Sequence, residues 1–187
     1  MQTINIILSG LGGQGILFMT KILARTALLK GIDALGAETH GMAQRGGSVV
    51  SHLKLGQAQS SLINNGSAHF LLALEESEAY RNLSFLGAGG KIFVNADSST
   101  FPRAEISPYL KKNKIECHAA QAGKIALKLG APRSANLALI GFMTAFEESP
   151  FTPEEILKTI DQISPGPFKE ANFKIFNAGT AARGSGL

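Results

Sequence analysis

Two glycine-rich segments near the N-terminus carry the residues best suited to chemistry. The first, Gly10-Leu-Gly12-Gly13-Gln14-Gly15, follows the apolar run Ile4–Ser9 and precedes a helical pattern. Glycines at 10, 12 and 15 match the G-x-G-x-x-G spacing, in which small residues let several backbone N–H groups approach an anion at a helix N-terminus. The second segment reads Glu38-Thr-His40-Gly-Met42-Ala-Gln44-Arg45-Gly46-Gly47-Ser48. An arginine beside paired glycines suits bidentate capture of a carboxylate or phosphate, with Ser48 and the Gly46 and Gly47 amides extending the nest.

The candidate binding residues are therefore Gly10, Gly12, Gly13, Gln14 and Gly15 in the first loop, and His40, Gln44, Arg45, Gly46, Gly47 and Ser48 in the second. No lysine follows the first loop in the P-loop manner, which argues against an NTPase. Glu38 stands about where an acidic residue would hold a ribose in a dinucleotide fold, so a freestanding NAD(P)-binding oxidoreductase is one reading of this spacing. A ligand-free strand-to-helix turn is another. His40 has no visible partner beyond Glu38, and a structural hydrogen bond suits it better than acid–base work. Met42 suits packing or an interface. Contact with a small ligand and contact with another subunit fit the second loop equally well, and one shared interface could serve both.

The elements around these loops must position them. Ile4–Ser9 reads as a buried strand and Ile16–Lys30 as a helix, with Ile16, Met19, Ile22, Leu23, Ala27 and Leu28 on one stripe and Gly31 closing it. Further strands are expected near Asp33–Ala37, at Ser48–Leu55, His69–Leu74, Lys91–Asn95 and Ile115–Cys117. Between them come an acidic helix start at Glu75–Glu78, a stop at Gly87–Gly90, and helices over Ile106–Asn113 and Ala122–Leu129. A strongly apolar helix is expected at Ser134–Phe146, then one opened by Thr152-Pro153-Glu154-Glu155 with a capping box, and a last one over Lys169–Ala182. Alternation of strands and helices predicts an α/β fold: a single-domain, mostly parallel, Rossmann-like sheet flanked by helices, spanning 1–187. The second loop should then emerge at the same carboxyl edge as the first, bringing Gln14, His40, Gln44 and Arg45 together.

Composition bounds the function. The 187 residues are 44% hydrophobic and 17% charged, which excludes a disordered chain and allows one sizeable core. Net charge is +4, and only Lys111, Lys112 and Lys114 resemble a patch, which reads as a solvated helix end; nucleic acid is not an expected partner. No apolar run reaches the ~20 residues of a membrane span, and no leader pattern opens the chain, so a cytoplasmic location is expected. Cys117 is the single cysteine, so it cannot supply the four thiolates of an iron–sulfur cluster. It reads as a buried structural thiol, with His118 pointing to the opposite strand face.

Across Ile4–Leu55, the wording GLGGQG followed by ETHGMAQRGGSVVSHLKLG resembles the gamma-type subunit or domain of 2-oxoacid:ferredoxin oxidoreductases. HGMAQRGGSV is closest to the small (beta) subunit of the indolepyruvate:ferredoxin branch. The pyruvate and ketoisovalerate branches differ in this second loop. The resemblance implies a CoA-dependent oxidative decarboxylation of a 2-oxoacid to acyl-CoA and CO2 with reduction of ferredoxin. Thiamine diphosphate, Mg and 4Fe-4S clusters would reside on a larger catalytic partner subunit, coenzyme A being co-substrate. This chain carries no thiamine-diphosphate motif. It would bind no cofactor alone, be inactive alone, and complete a wall of the active site or coenzyme A site through the two loops. An apolar interface left bare would favour self-association of the isolated chain.

Overall fold

In the computed structural model, which describes residues 3–40 and 46–184, the first apolar run forms strand β1 (Ile4–Leu11) and passes through the glycine loop into α1 (Ile16–Leu29). Gly31 follows at φ 72°, as a helix-terminating glycine should. Then come β2 (Ala34–His40), β3 (Ser48–Leu55), β4 (Ala68–Ala73) and α2 (Glu76–Arg81). The chain continues through β5 (Leu86–Asn95), α3 (Ser107–Lys112), β6 (Glu116–Ala120) and α4 (Ala122–Lys128). It ends with α5 (Ala135–Thr144), α6 (Pro153–Ile163) and α7 (Gly166–Ala181).

One six-stranded sheet has the order β2-β3-β1-β4-β5-β6. β1, β4, β5 and β6 are parallel neighbours, whereas β3 runs antiparallel to both β1 and β2. The expected mostly parallel α/β architecture is present, with β3 as its one reversed strand. Residues 41–47 are too few for a crossover, so β2 and β3 form a hairpin. Alternating strand residues feed two cores. Ile6, Leu8, Phe70, Leu72 and Phe93 pack under α1, α4, α5, α6 and α7, while Ile7, Leu71, Ile92 and Val94 pack under α2 and α3.

Several local expectations hold. α5 buries nine of its ten residues. Thr152 caps α6, its hydroxyl accepting the Glu155 N–H while the Glu155 carboxylate accepts the Thr152 N–H. Cys117 packs with the second core, and on the first His118 stacks on Phe93 and lies tilted against Phe146, at ring separations of 5.1 and 4.3 Å. Burial raises the Cys117 thiol to about 11 and lowers His118. Lys111 and Lys112 are exposed in the last turn of α3. Among the described residues, no helix is long and apolar enough to cross a membrane.

Several boundaries differ. β1 runs past Ser9 to Leu11, so Gly10, expected in the first loop, is a strand residue paired with Val49, and β6 covers Glu116–Ala120 rather than Ile115–Cys117. β2 continues to His40, so Glu38 and His40 lie in a strand rather than a loop, held by pairing to Ser51 and Val49. Gly87–Gly90 opens β5 instead of ending a helix, beside an irregularity in the β4–β5 register, because the backbones crowd there: a Cβ on Gly87 would lie 2.9 Å from the Gly66 carbonyl oxygen. α7 begins at Gly166, with Pro167 in its first turn, where a missing N–H costs no helical bond.

Candidate functional site

The two loops meet through their backbones. β1 and β3 run in register to the end, Leu11 facing Ser48. Beyond that pair the Gly12 N–H donates to the Gly47 carbonyl at 2.8 Å, and the Gly46 N–H to the Gly12 carbonyl at 3.5 Å. The single-edge arrangement expected from the sequence is therefore present for Gly12, Gly46, Gly47 and Ser48. His40 ends β2 at the same edge, two strands from β1. Gln44 and Arg45 lie outside the described residues, as does Met42.

In the first loop, Gly13 and Gly15 take left-handed backbone conformations at φ 97° and 80°. Gly15 is the N-cap of α1, so the opening N–H groups of that helix face the carboxyl edge of the sheet. Asn136 at the start of α5 is 5% exposed, and its Nδ2 donates to the Gly15 carbonyl at 3.3 Å. Its Oδ1 accepts the Leu137 N–H at 2.8 Å. Gln14 folds over the loop: its Oε1 accepts the Leu11 N–H at 2.8 Å and its Nε2 donates to Glu75.

α1 leaves β1 toward one core and α2 leaves β4 toward the other, so the β1–β4 boundary is the switch point where open α/β sheets place ligands. The Gln14–Glu75 bond spans that boundary. A carboxylate at the mouth opposes a pyrophosphate there. Glu38 is also misplaced for a ribose: it pairs with Ser51, which pairs with Leu8. Two inter-strand steps of ~4.8 Å separate it from β1, level with residues well inside the sheet.

The α2 segment supplies groups that composition alone did not single out for function. Glu78 is 1% exposed, accepts the Ser48 hydroxyl at 2.6 Å and pairs with Arg81 at 3.0 Å. Farther along the rim, Asn95 accepts the Gly123 N–H at 2.9 Å and donates to the Leu74 carbonyl at 3.2 Å. Asp97 accepts from Ser99 and from the Gln121 amide, and the Ser99 hydrogen bonds hold its carboxyl below the usual range. Asn95 ends β5, Asp97 lies two residues beyond it and Glu78 sits in the helix that follows β4, so polar residues at or after strand ends are the signal in sequence that could have found them.

Residues 5–182 match the family model described as pyruvate ferredoxin/flavodoxin oxidoreductase. Indolepyruvate oxidoreductase subunit IorB of Archaeoglobus fulgidus is 33% identical, over 94% of this chain and 93% of the relative. Among solved structures, the gamma subunit of a keto/oxoacid ferredoxin oxidoreductase from Geobacter sulfurreducens superposes with a TM-score of 0.74 at 25% identity, over 94% and 95% of the two chains. A 2-oxoglutarate:ferredoxin oxidoreductase from Magnetococcus marinus shares the fold with a TM-score of 0.76 at 16% identity, over 97% of this chain and 31% of that one.

Proposed function

The chain belongs to the pyruvate ferredoxin/flavodoxin oxidoreductase family, and from that premise we propose that it is the small, cluster-free subunit of a 2-oxoacid:ferredoxin oxidoreductase. The reaction converts a 2-oxoacid, coenzyme A and two oxidised ferredoxins into acyl-CoA, CO2, a proton and two reduced ferredoxins. The IorB relatives favour indolepyruvate or another aryl pyruvate as the oxoacid. One cysteine cannot ligate a cluster, so the residues of this chain do not fit the iron–sulfur groups. Those groups and thiamine diphosphate with its Mg belong on a larger catalytic subunit, which also passes electrons to ferredoxin.

The work left to this chain is binding and orientation. The observation that carries the reading is the Gly12–Gly47 backbone bond, which joins two anion-suited loops into one rim. That rim completes the coenzyme A or active site against the partner: first-loop N–H groups face it, and Arg45 in the second loop supplies charge to a phosphate or carboxylate. The NAD(P) alternative loses support from the placement of Glu38 and Glu75 described above.

The test is reconstitution with the larger subunit, comparing wild type with Arg45→Ala. A raised KM for coenzyme A or the oxoacid, or weakened assembly, is expected. If all three stay normal, the rim has no part in function. Titration of NADH into the isolated chain should give no binding, and micromolar binding would restore the dehydrogenase reading.

A further inference from the structure

We propose that Glu78 is a positioning residue for Gly46–Ser48 at the outgoing end of the second loop, and that α2 and its N-cap, through Glu78 and Glu75, set the two loops relative to one another. This rests on the loops forming the binding rim proposed above.

A carboxylate that is 1% exposed has given up its hydration, so its partners must matter to its placement. Arg81 does not explain the burial, because its side chain is 63% exposed and an i,i+3 pair of this kind forms readily in solvent. What lies inward is the Ser48 hydroxyl, at 2.6 Å. Ser48 is the first residue of β3, and the residue before it contributes the carbonyl that accepts the Gly12 N–H. Glu78 thus anchors the outgoing limb of the second loop at the point where that limb touches the first. One helical turn earlier, Glu75 accepts the Gln14 amide of the first loop. α2 and its N-cap residue Glu75 therefore hold a side chain from each loop. The anchor holds Gly46–Ser48, the described limb that meets the first loop. Geometric errors of about 1 Å in a binding group can cost on the order of a hundredfold in rate, which gives such an anchor functional weight.

The experiment uses the reconstituted complex with Ser48→Ala, Glu78→Ala, Glu78→Gln and the Ser48→Ala/Glu78→Ala double variant, beside Arg45→Ala. Readouts are KM for coenzyme A, KM for the oxoacid, kcat, and assembly by size-exclusion chromatography. Ser48→Ala and Glu78→Ala should each raise KM for coenzyme A by about tenfold with kcat within about twofold, and the double variant should be no worse than the worse single. Glu78→Gln keeps an oxygen able to accept the Ser48 hydroxyl and should recover most of the loss. Ser48→Ala removes one oxygen at a strand end, so it keeps the test decisive if Glu78→Ala fails to fold. Unchanged KM values and assembly in Ser48→Ala, alongside a defect in Arg45→Ala, overturn the positioning role and leave the proposed function standing. Parallel defects in oxoacid KM or assembly, with coenzyme A unaffected, support the positioning role and favour the active-site side of the proposed rim over coenzyme A. Additive losses, or no recovery in Glu78→Gln, overturn the anchor.

Discussion

Replacing Gly15 by alanine tests whether the first loop is held in shape by its own backbone or by α5. At φ 80°, an L side chain in the left-handed region costs roughly 1–2 kcal/mol. The new Cβ would also lie 2.3 Å from Asn136 Nδ2, closer than real contacts allow. That amide is the mobile end of a side chain, so it can rotate away, but only by surrendering its bond to the Gly15 carbonyl in a 5%-exposed setting. The second loss is about 1 kcal/mol, giving roughly 2–3 kcal/mol for Gly15→Ala. Asn136→Ala alone should cost about 1–2 kcal/mol, but it removes the obstacle. The double variant should therefore be about 1 kcal/mol more stable than the sum of the singles predicts. Urea unfolding of all four proteins, with shared m-values, measures this coupling. If the singles add within about 0.3 kcal/mol, Asn136 does not shape the loop, and the account of how α5 positions it is wrong.

Three further outcomes follow from the packing. In Gly179→Ala the Cβ would lie 2.0 Å from the Ala138 carbonyl oxygen, a backbone atom that cannot rotate aside; α5 and α7 must separate, lowering stability by about 3 kcal/mol and the Tm by roughly 6–12 °C in a thermal melt. His52 and His118 both have lowered pKa values from burial, with Lys54 adding to the effect at His52. The unfolded chain therefore takes up protons near pH 6.5 that the native one refuses. Stability should fall as pH drops through that region, and His52→Asn should flatten part of the slope in urea titrations at pH 5.5, 6.5 and 7.5; an unchanged slope would dismiss His52 as a source. Cys117, raised to about 11 by burial, should resist iodoacetamide at pH 8 in native protein and react in urea; rapid native labelling would contradict its placement.

Much of the architecture is legible in the residues because the signals are local. The Ile16–Ala27 stripe (Leu28, expected on it, is 52% exposed), the Thr152–Glu155 capping box and the alternation of Cys117 with His118 each need only a few neighbours to act. Strand direction is different: the SVVSHLKL run would suit either orientation, and only the shortness of the 41–47 connection forces the reversal of β3. The apolar-poor composition of Gly87–Gly90 suggested a helix stop, yet its glycines answer to the Gly66 carbonyl, which lies on another part of the chain. Likewise the acidic residues after β4 mark no more than a helix start in the sequence. Glu75 and Glu78 instead serve Gln14 and Ser48, sixty-one and thirty residues earlier in sequence, and no window of the sequence contains both members of either pair.

The reversed strand has a consequence for how chains of this fold can diversify. Because β2 and β3 are antiparallel neighbours, residues 41–47 need only join two adjacent strand ends. The tip can be rewritten or resized at little entropic cost while both stems keep their register. On the proposed function, this tip would carry specificity as an interchangeable cassette. Grafting residues 41–47 from a relative with another oxoacid preference onto these stems should move substrate choice and leave the melting temperature nearly unchanged.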